Sequence, residues 1–270
     1  MSKIVAISNQ KGGVGKTTTA VNLSAFLAAM GKTVLLIDID PQGNASSGLG
    51  IQKKNLENTI YNVLLGDIEA KDAIVGTTVE GLKLIPSNID LVGAEVELIN
   101  NVRKRDEILR GALSDLRNDF DFILIDCPPS LGLLTVNALA ASNSILIPLQ
   151  GEYFALEGLS QLMNTIRLVK RHYNPTLEVE GVVLTMYDAR SNLSMSVTDE
   201  ILKYFGKKVF STRIPRNIKL GESPSYGLPV MQYEPKSSGS MSYMALTEEF
   251  LIRNHENYTK ITNLGLLKAK

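Results

Sequence analysis

The strongest constraint in the chain is the stretch Lys11-Gly12-Gly13-Val14-Gly15-Lys16-Thr17-Thr18. It sits between a short apolar run, Ile4 to Ile7, and a long helical pattern. Glycines at 12, 13 and 15 let the backbone turn tightly and approach another group closely. A glycine-rich loop leading from a strand into a helix aims its N–H groups and the helix N-terminus at one point, which makes an anion cradle. Lys16 adds positive charge for β- and γ-phosphates, and the Thr17 hydroxyl is the expected Mg²⁺ ligand. A plain glycine turn before a helix is the weaker reading of this motif in this context.

Such a loop belongs in an α/β protein, and the rest of the chain agrees. Apolar β-rich runs at residues 3–8, 33–37, 82–86, 122–126, 144–148, 179–185 and 208–211 read as strands. Helical patterns cover residues 16–30, 94–116, 134–141, 155–173, 193–205 and 239–254. Runs such as Val34-Leu35-Leu36-Ile37 and Phe122-Ile123-Leu124-Ile125 are apolar throughout, as strands buried on both faces are. Strand–helix alternation predicts a mainly parallel twisted sheet with helices on both faces. Ligands on such sheets bind beyond the carboxyl ends of the strands. Residues 1–254 are expected to form one P-loop domain, with 255–270 as a C-terminal tail. The stretch from Ser223 to Gly239 reads as a long surface loop. No helix-turn-helix module is expected ahead of the first strand.

Composition excludes several classes. The single cysteine, Cys127, rules out a disulfide framework and any metal site built on several cysteines of one subunit. It suits a reducing compartment. No stretch reaches the roughly 18 apolar residues of a membrane span, and the N-terminal apolar run is too short for a signal peptide. A cytoplasmic protein is therefore expected. Net charge is zero, but residues 160–220 hold 10 basic and 5 acidic side chains. Taken alone, that excess is most simply a solvated surface.

Two acidic sites stand at strand ends. Asp38 and Asp40 bracket the end of the second strand, where two carboxylates can act on Mg²⁺ or on an attacking water. A solvated turn is the competing reading there. Asp126 ends the apolar run 122–125, which is the usual place for a carboxylate that holds Mg²⁺ directly or through water. Cys127 beside it reads as a packing residue.

These segments together resemble the ParA/Soj family of chromosome-partitioning ATPases. The resemblance rests on the P-loop, on Asp40-Pro41-Gln42-Gly43-Asn44 and on Asp126-Cys127-Pro128-Pro129-Ser130. It continues through Met186-Tyr187-Asp188-Ala189-Arg190-Ser191-Asn192-Leu193, Ile214-Pro215-Arg216-Asn217-Ile218-Lys219-Leu220 and Tyr233-Glu234-Pro235-Lys236-Ser237. These segments span nearly the whole chain in family order, and the short N-terminus resembles the small chromosomal type. The resemblance implies ATP and Mg²⁺ as cofactors, held by residues 11–18. It makes Lys11 the signature lysine of a deviant Walker A loop, reaching the nucleotide of a partner subunit, with Gly12 allowing close approach at that interface. Lys16 would bind phosphate, Asp40 would orient the hydrolytic water, and Thr17, Asp40 and Asp126 would serve Mg²⁺. Pro215 and Asn217 would lie near adenine. Arg190 and Lys219 match family positions implicated in DNA binding. Close relatives often carry Arg at the second position, and Lys keeps the charge without the bidentate geometry.

The implied activity is a slow, partner-stimulated ATPase that dimerises on ATP. It would bind double-stranded DNA without sequence preference on the nucleoid, and answer to a ParB/Spo0J-type centromere-binding protein. Arg167, Lys170 and Arg171 share one helix face at i, i+3, i+4 spacing, and with Arg190, Arg213, Arg216 and Lys219 they form the expected DNA surface. No membrane contact is expected. The main alternative is a MinD-like positioning ATPase, which needs an amphipathic tail. Here the tail offers Ile261, Leu264, Leu266 and Leu267 with Lys260, Lys268 and Lys270, interrupted by Gly265. An iron–sulfur reductase of the nitrogenase iron-protein type would need two cysteines per subunit. An ATP-bound filament former is a third alternative.

Overall fold

The computed structural model describes residues 1–101, 106–152 and 155–267. The continuous apolar runs become the strands of a seven-stranded sheet. They are β1 (Lys3–Ile7), β2 (Val34–Asp38), β3 (Val75–Gly76), β4 (Leu82–Ile85), β5 (Phe122–Asp126), β6 (Ser144–Gln150) and β7 (Glu178–Thr185). Their spatial order is β3-β4-β2-β5-β1-β6-β7. All neighbours are parallel except β3 and β4, so the expected mainly parallel sheet is present with an antiparallel edge.

Alternation along the strands divides the core into two layers. Ile4, Ala6, Leu35, Ile37, Ile123 and Ile125 face one cluster, which also receives Leu139, Leu162, Ile166, Val197 and Ile201 from helices Leu133–Ala141, Ala155–His172 and Asn192–Phe205. Val5, Ile7, Val34, Leu36, Phe122 and Leu124 face the other. There α1 (Lys16–Ala29) and the helix Ser238–Arg253 supply Phe26, Leu27, Tyr243 and Phe250. The Phe122 and Phe250 rings meet with centroids 5.5 Å apart.

Several sequence expectations need correction. Residues 208–211 do not form a strand. Gly206–Lys208 is a short 3-10 turn, and Val209 makes an isolated bridge to Val182. The segment runs beside β7, the Phe210 N–H donating to the Val182 carbonyl at 2.8 Å, and passes close to Gly181. A Cβ on Gly181 would lie 2.5 Å from the Phe210 ring and 2.7 Å from the Lys208 carbonyl oxygen. The helix expected over 94–116 is broken into Leu91–Asn101 and Ile108–Ala112, with residues 102–105 outside the described residues. The second piece starts where the Asn137 side-chain oxygen accepts from the Leu109 N–H (3.2 Å). The stretch from Ser223 to Gly239 is not simply a surface loop. It contains a helical turn, Val230–Tyr233, whose Val230 and Met231 are buried in the second layer, and Val230 N–H donates to Asn22 Oδ1 at 2.8 Å.

Residues 255–267 lie against the body. Thr259 N–H donates to the Met30 carbonyl at 3.0 Å, and Glu256 pairs with Lys32. Tyr258, Ile261 and Leu267 pack half-buried on the second layer. Lys268 and Lys270 lie outside the described residues. Among the described residues, no helix is long and apolar enough to cross a membrane.

Candidate functional site

Three strand ends meet at the carboxyl edge of the sheet. Ile7 of β1 and Asp38 of β2 are both in register with Asp126 of β5, so the P-loop and the two acidic segments emerge side by side. Gly13 (φ 75°) and Gly15 (φ 83°) adopt the left-handed conformation that side-chain-bearing residues avoid. Gly15 caps α1 without any side-chain bond to its N-terminus, which leaves those N–H groups for an anion. Two polar residues anchor the loop. Thr185 Oγ1 donates to the Val14 carbonyl (2.8 Å), and Asn9 accepts from the Lys11 N–H (3.0 Å) while donating to the Pro148 carbonyl (2.7 Å).

Lys16 is 7% exposed and spans the loop, its Nζ donating to the Lys11 carbonyl at 3.2 Å. Burial lowers its pKa, opposed by Asp126, Cys127 and Asp40. Lys11 instead pairs with the Glu152 carboxylate, the two side chains being 31% and 50% exposed.

The acidic groups form a buried cluster. Asp38 is fully buried, and burial raises its pKa to about 6 although Ser46 and Asp40 N–H groups oppose the shift. Asp126 is also fully buried, and its carboxyl is held well above the usual range by burial and then by the charge of Asp38. The Thr17 hydroxyl is near enough to offset part of that penalty, but neither Asp126 oxygen has a satisfying hydrogen bond. Two facing carboxylates, one of them orphaned, beside a threonine hydroxyl and a lysine suit a divalent cation arriving with phosphate. Among the described residues no group of three His, Cys, Asp or Glu is arranged to hold a metal unaided. Mg²⁺ takes most of its ligands from phosphate and water. Asp40 is nearly buried, and its Oδ1 accepts from the Gln42 N–H at 2.9 Å. The Cys127 thiol is buried and pushed far up by that burial, as a packing residue should be.

Beside the loop lies a cleft of about 480 Å³ with a mostly apolar wall. Gly15, Thr18, Met186, Pro215, Asn217 and Tyr243 are among its lining residues, so the structure brings Pro215 and Asn217 to the phosphate loop. A flat aromatic base suits such a wall. Met186 holds φ 48°, unusual for a side-chain-bearing residue. Asn217 is partly committed elsewhere. Its oxygen caps the helix Ile218–Glu222 by accepting from the Lys219 N–H (2.9 Å), and its amide donates to Ser238 (2.7 Å).

A family model described as an AAA domain matches residues 2–179. The sporulation initiation inhibitor protein Soj of Bacillus subtilis is 57% identical over 249 residues, covering 92% of this chain and 98% of that protein. The chain belongs to the ParA/Soj family of chromosome-partitioning ATPases. The chromosome partitioning protein ParA of Myxococcus xanthus is 53% identical, covering 94% of this chain and 89% of that protein. Among solved structures, a cobyrinic acid a,c-diamide synthase from Mycobacterium smegmatis with bound ADP and magnesium superposes with a TM-score of 0.83 at 36% identity. It covers 97% of this chain and 100% of that one. The MinD protein of Pyrococcus horikoshii with Mg-ADP gives 0.76 at 29% identity, covering 92% and 96%.

In this ParA/Soj-family chain the basic residues fall into two groups. Arg190, Arg216 and Lys219 follow β7 at the carboxyl edge of the sheet, the same edge as the P-loop. Arg190 is 90% exposed and pairs with Asp188 at 3.0 Å, while Lys219 pairs with Glu222 at 2.9 Å. Arg213 lies over the Tyr187 ring, 4.4 Å from its centroid. Arg167, Lys170 and Arg171 are exposed on the last turns of Ala155–His172. That helix is about 27 Å long and runs to the opposite edge, where Asn174 donates to the Leu139 and Ser142 carbonyls just ahead of β6. The structure therefore does not join these three to Arg190 and Lys219 within one subunit. Reasoning from sequence also passed over Asn9, Thr185 and Glu152. The motif spacing carried no signal for them.

Proposed function

We propose that this chain is an ATP-dependent dimer switch that binds DNA without sequence preference and drives chromosome or plasmid partitioning with a ParB/Spo0J-type partner. The observation that carries the proposal is Lys11. Its ammonium pairs with the half-exposed Glu152 carboxylate, while Lys16 is buried and donates across the loop. A second lysine in that place is free to neutralise phosphate on a facing subunit. Gly12 supports this reading. It is exposed, and a Cβ there would meet only Pro129, at 3.9 Å, so packing within the chain does not demand glycine.

Gly12 to Lys16 would hold the phosphates, and Thr17 and Asp126 would serve Mg²⁺. Asp40 orients the attacking water. Bound Mg²⁺ supplies the charge that stabilises the leaving phosphate. Related structures solved with ADP or an ATP analogue and magnesium support these cofactors. Hydrolysis by the lone protein is slow, and an arginine supplied by a partner raises such rates by roughly 10³–10⁵. Arg190, Arg216 and Lys219 lie on the edge where two subunits would face each other, so dimerisation aligns two sets. Exposed pairs such as Arg190–Asp188 hold by about 1 kcal/mol or less and give way to DNA phosphate. Cytoplasmic, nucleoid-associated protein is the corresponding location. The MinD-like alternative needs its tail as a free amphipathic helix, whereas Tyr258, Ile261 and Leu267 here turn onto the body.

Size-exclusion chromatography of Asp40→Ala protein tests the reading. A dimer with ATP, a monomer with ADP, and DNA carried by the dimer alone are expected. Protein that stays monomeric with ATP at every concentration, or that sediments with liposomes in place of DNA, ends it. Adding Arg190→Ala and Lys219→Ala should weaken DNA binding on all sequences equally. The slope of log affinity against log salt should fall by roughly 0.9 per lost phosphate contact.

A further inference from the structure

The segment that carries Asp40 is held by contacts that no motif announces. Asp38 Oδ2 accepts from both the Ser46 N–H (2.8 Å) and the Ser46 hydroxyl (2.7 Å), and Asp38 Oδ1 accepts from the Asp40 N–H (3.2 Å). The Ser46 hydroxyl in turn accepts from the Ser87 N–H at 3.0 Å. Asp38, Ser46 and Ser87 are all fully buried. The hydroxyl orientation is thereby fixed. Ser87 N–H can only donate, so the one proton of Ser46 Oγ goes to Asp38. Gly43 (φ 59°) packs against the same place, where a Cβ would sit 2.6 Å from the Ser87 carbonyl oxygen. One hydroxyl thus joins the end of β2, the Asp40 segment and the turn after β4.

We propose that Ser46 is a positioning residue for ATP hydrolysis, setting Asp40 by bridging Asp38 to Ser87. The proposal rests on the reading of Asp40 as the side chain that orients the attacking water. Removing the hydroxyl leaves the Ser87 N–H buried without a partner and takes one donor from Asp38. The segment must shift to satisfy them, and Asp40 moves with it because its own N–H is bonded to Asp38. A displacement of about 1 Å at such a group costs on the order of 10² in rate. Phosphate affinity is spared, because residues 12–16 and the N-terminus of α1 build the cradle and the Asp40 segment does not.

The test compares Ser46→Ala, Ser46→Thr and Asp40→Ala in steady-state ATPase assays, with nucleotide affinity measured by calorimetry. Ser46→Ala is expected to lower kcat on the order of 10²-fold while KM and nucleotide affinity stay within a factor of about three. Ser46→Thr, which keeps the hydroxyl, recovers most of the rate. An unchanged kcat in Ser46→Ala, losses in kcat and affinity of equal size, or a threonine variant no better than alanine overturns the proposal. If Asp40→Ala turns over like the parent, it is the reading of Asp40 that has failed. Should Ser46→Ala not fold, Ser46→Cys decides in its place. Its weaker donor should lower kcat with affinity kept, and an unchanged kcat sinks the proposal.

Discussion

Lys11→Ala protein is expected to bind Mg·ATP nearly as tightly as the parent and yet fail to dimerise or to hold DNA. The two lysines of the loop do separable work. Lys16 is buried and bonded across its own loop, and on the proposed reading it serves the phosphates of its own subunit. Lys11 lies at the rim, and its present partner Glu152 is half exposed. A pair that exposed holds by about 1 kcal/mol or less, so Lys11 is released at little cost when a better anion arrives. Across a closed interface that anion is a partially desolvated phosphate. Truncating one member of a buried charge pair costs roughly 2–5 kcal/mol. A two-fold dimer makes the contact twice, so dimerisation should weaken by about 10³-fold or more. Analytical ultracentrifugation with ATP, alongside calorimetry of nucleotide binding, reads both quantities. Normal dimerisation of Lys11→Ala removes the proposed coupling, and lost nucleotide binding would place Lys11 in its own cradle.

What the sequence made legible follows from how local each piece of chemistry is. The glycine-rich loop and the strand-end acids Asp38 and Asp126 were legible as neighbours because each closes or follows an apolar strand of one parallel sheet. The central strands were readable because double-sided burial leaves no polar positions in Val34–Ile37 or Phe122–Ile125. Ser46, Ser87, Asn9 and Thr185 were not. A serine acquires its role only when segments forty residues apart in the chain are brought to 3.0 Å, and nothing in its neighbours records that. Residues 208–211 carry strand-like composition, yet they make one isolated bridge to β7, at Val209, and no ladder. The two-residue strand β3 is too short for any period to register. Polarity around Ser223–Gly239 concealed Val230 and Met231, whose burial depends on Asn22 supplying a hydrogen bond from α1. The basic residues were legible as a helix face and no further. Helical spacing correctly put Arg167, Lys170 and Arg171 on one face, but only the topology shows that this face ends at the far edge of the sheet from Arg190.

The buried acids give the other large effect, and it has an unusual sign. Asp126→Asn is expected to make the nucleotide-free protein more stable while weakening its response to Mg²⁺. Asp126 sits in register with Asp38 on the adjacent strand, both are fully buried, and neither Asp126 oxygen has a satisfying hydrogen bond. Burial and the Asp38 charge push its carboxyl well above the ordinary range, so without a cation the site is a standing penalty on the fold. An asparagine has the same shape, carries no charge, and brings N–H donors that Asp38 or the Thr17 oxygen can accept. Relieving a buried, unpaired carboxylate should add on the order of 1–3 kcal/mol. For a domain this large that raises Tm by about 2–4 °C per kcal/mol. In the parent protein, nucleotide with Mg²⁺ at a hundred times Kd adds about 2.7 kcal/mol. In Asp126→Asn the difference between ATP with and without Mg²⁺ should shrink, and hydrolysis should fall by about 10–10²-fold, because a carboxylate that would help hold the metal is gone. Thermal unfolding in the four combinations of nucleotide and metal separates the two halves of the prediction. A nucleotide-free variant less stable than the parent, still gaining its full increment from Mg²⁺, would mean that Asp126 is a structural carboxylate and that the metal is held elsewhere.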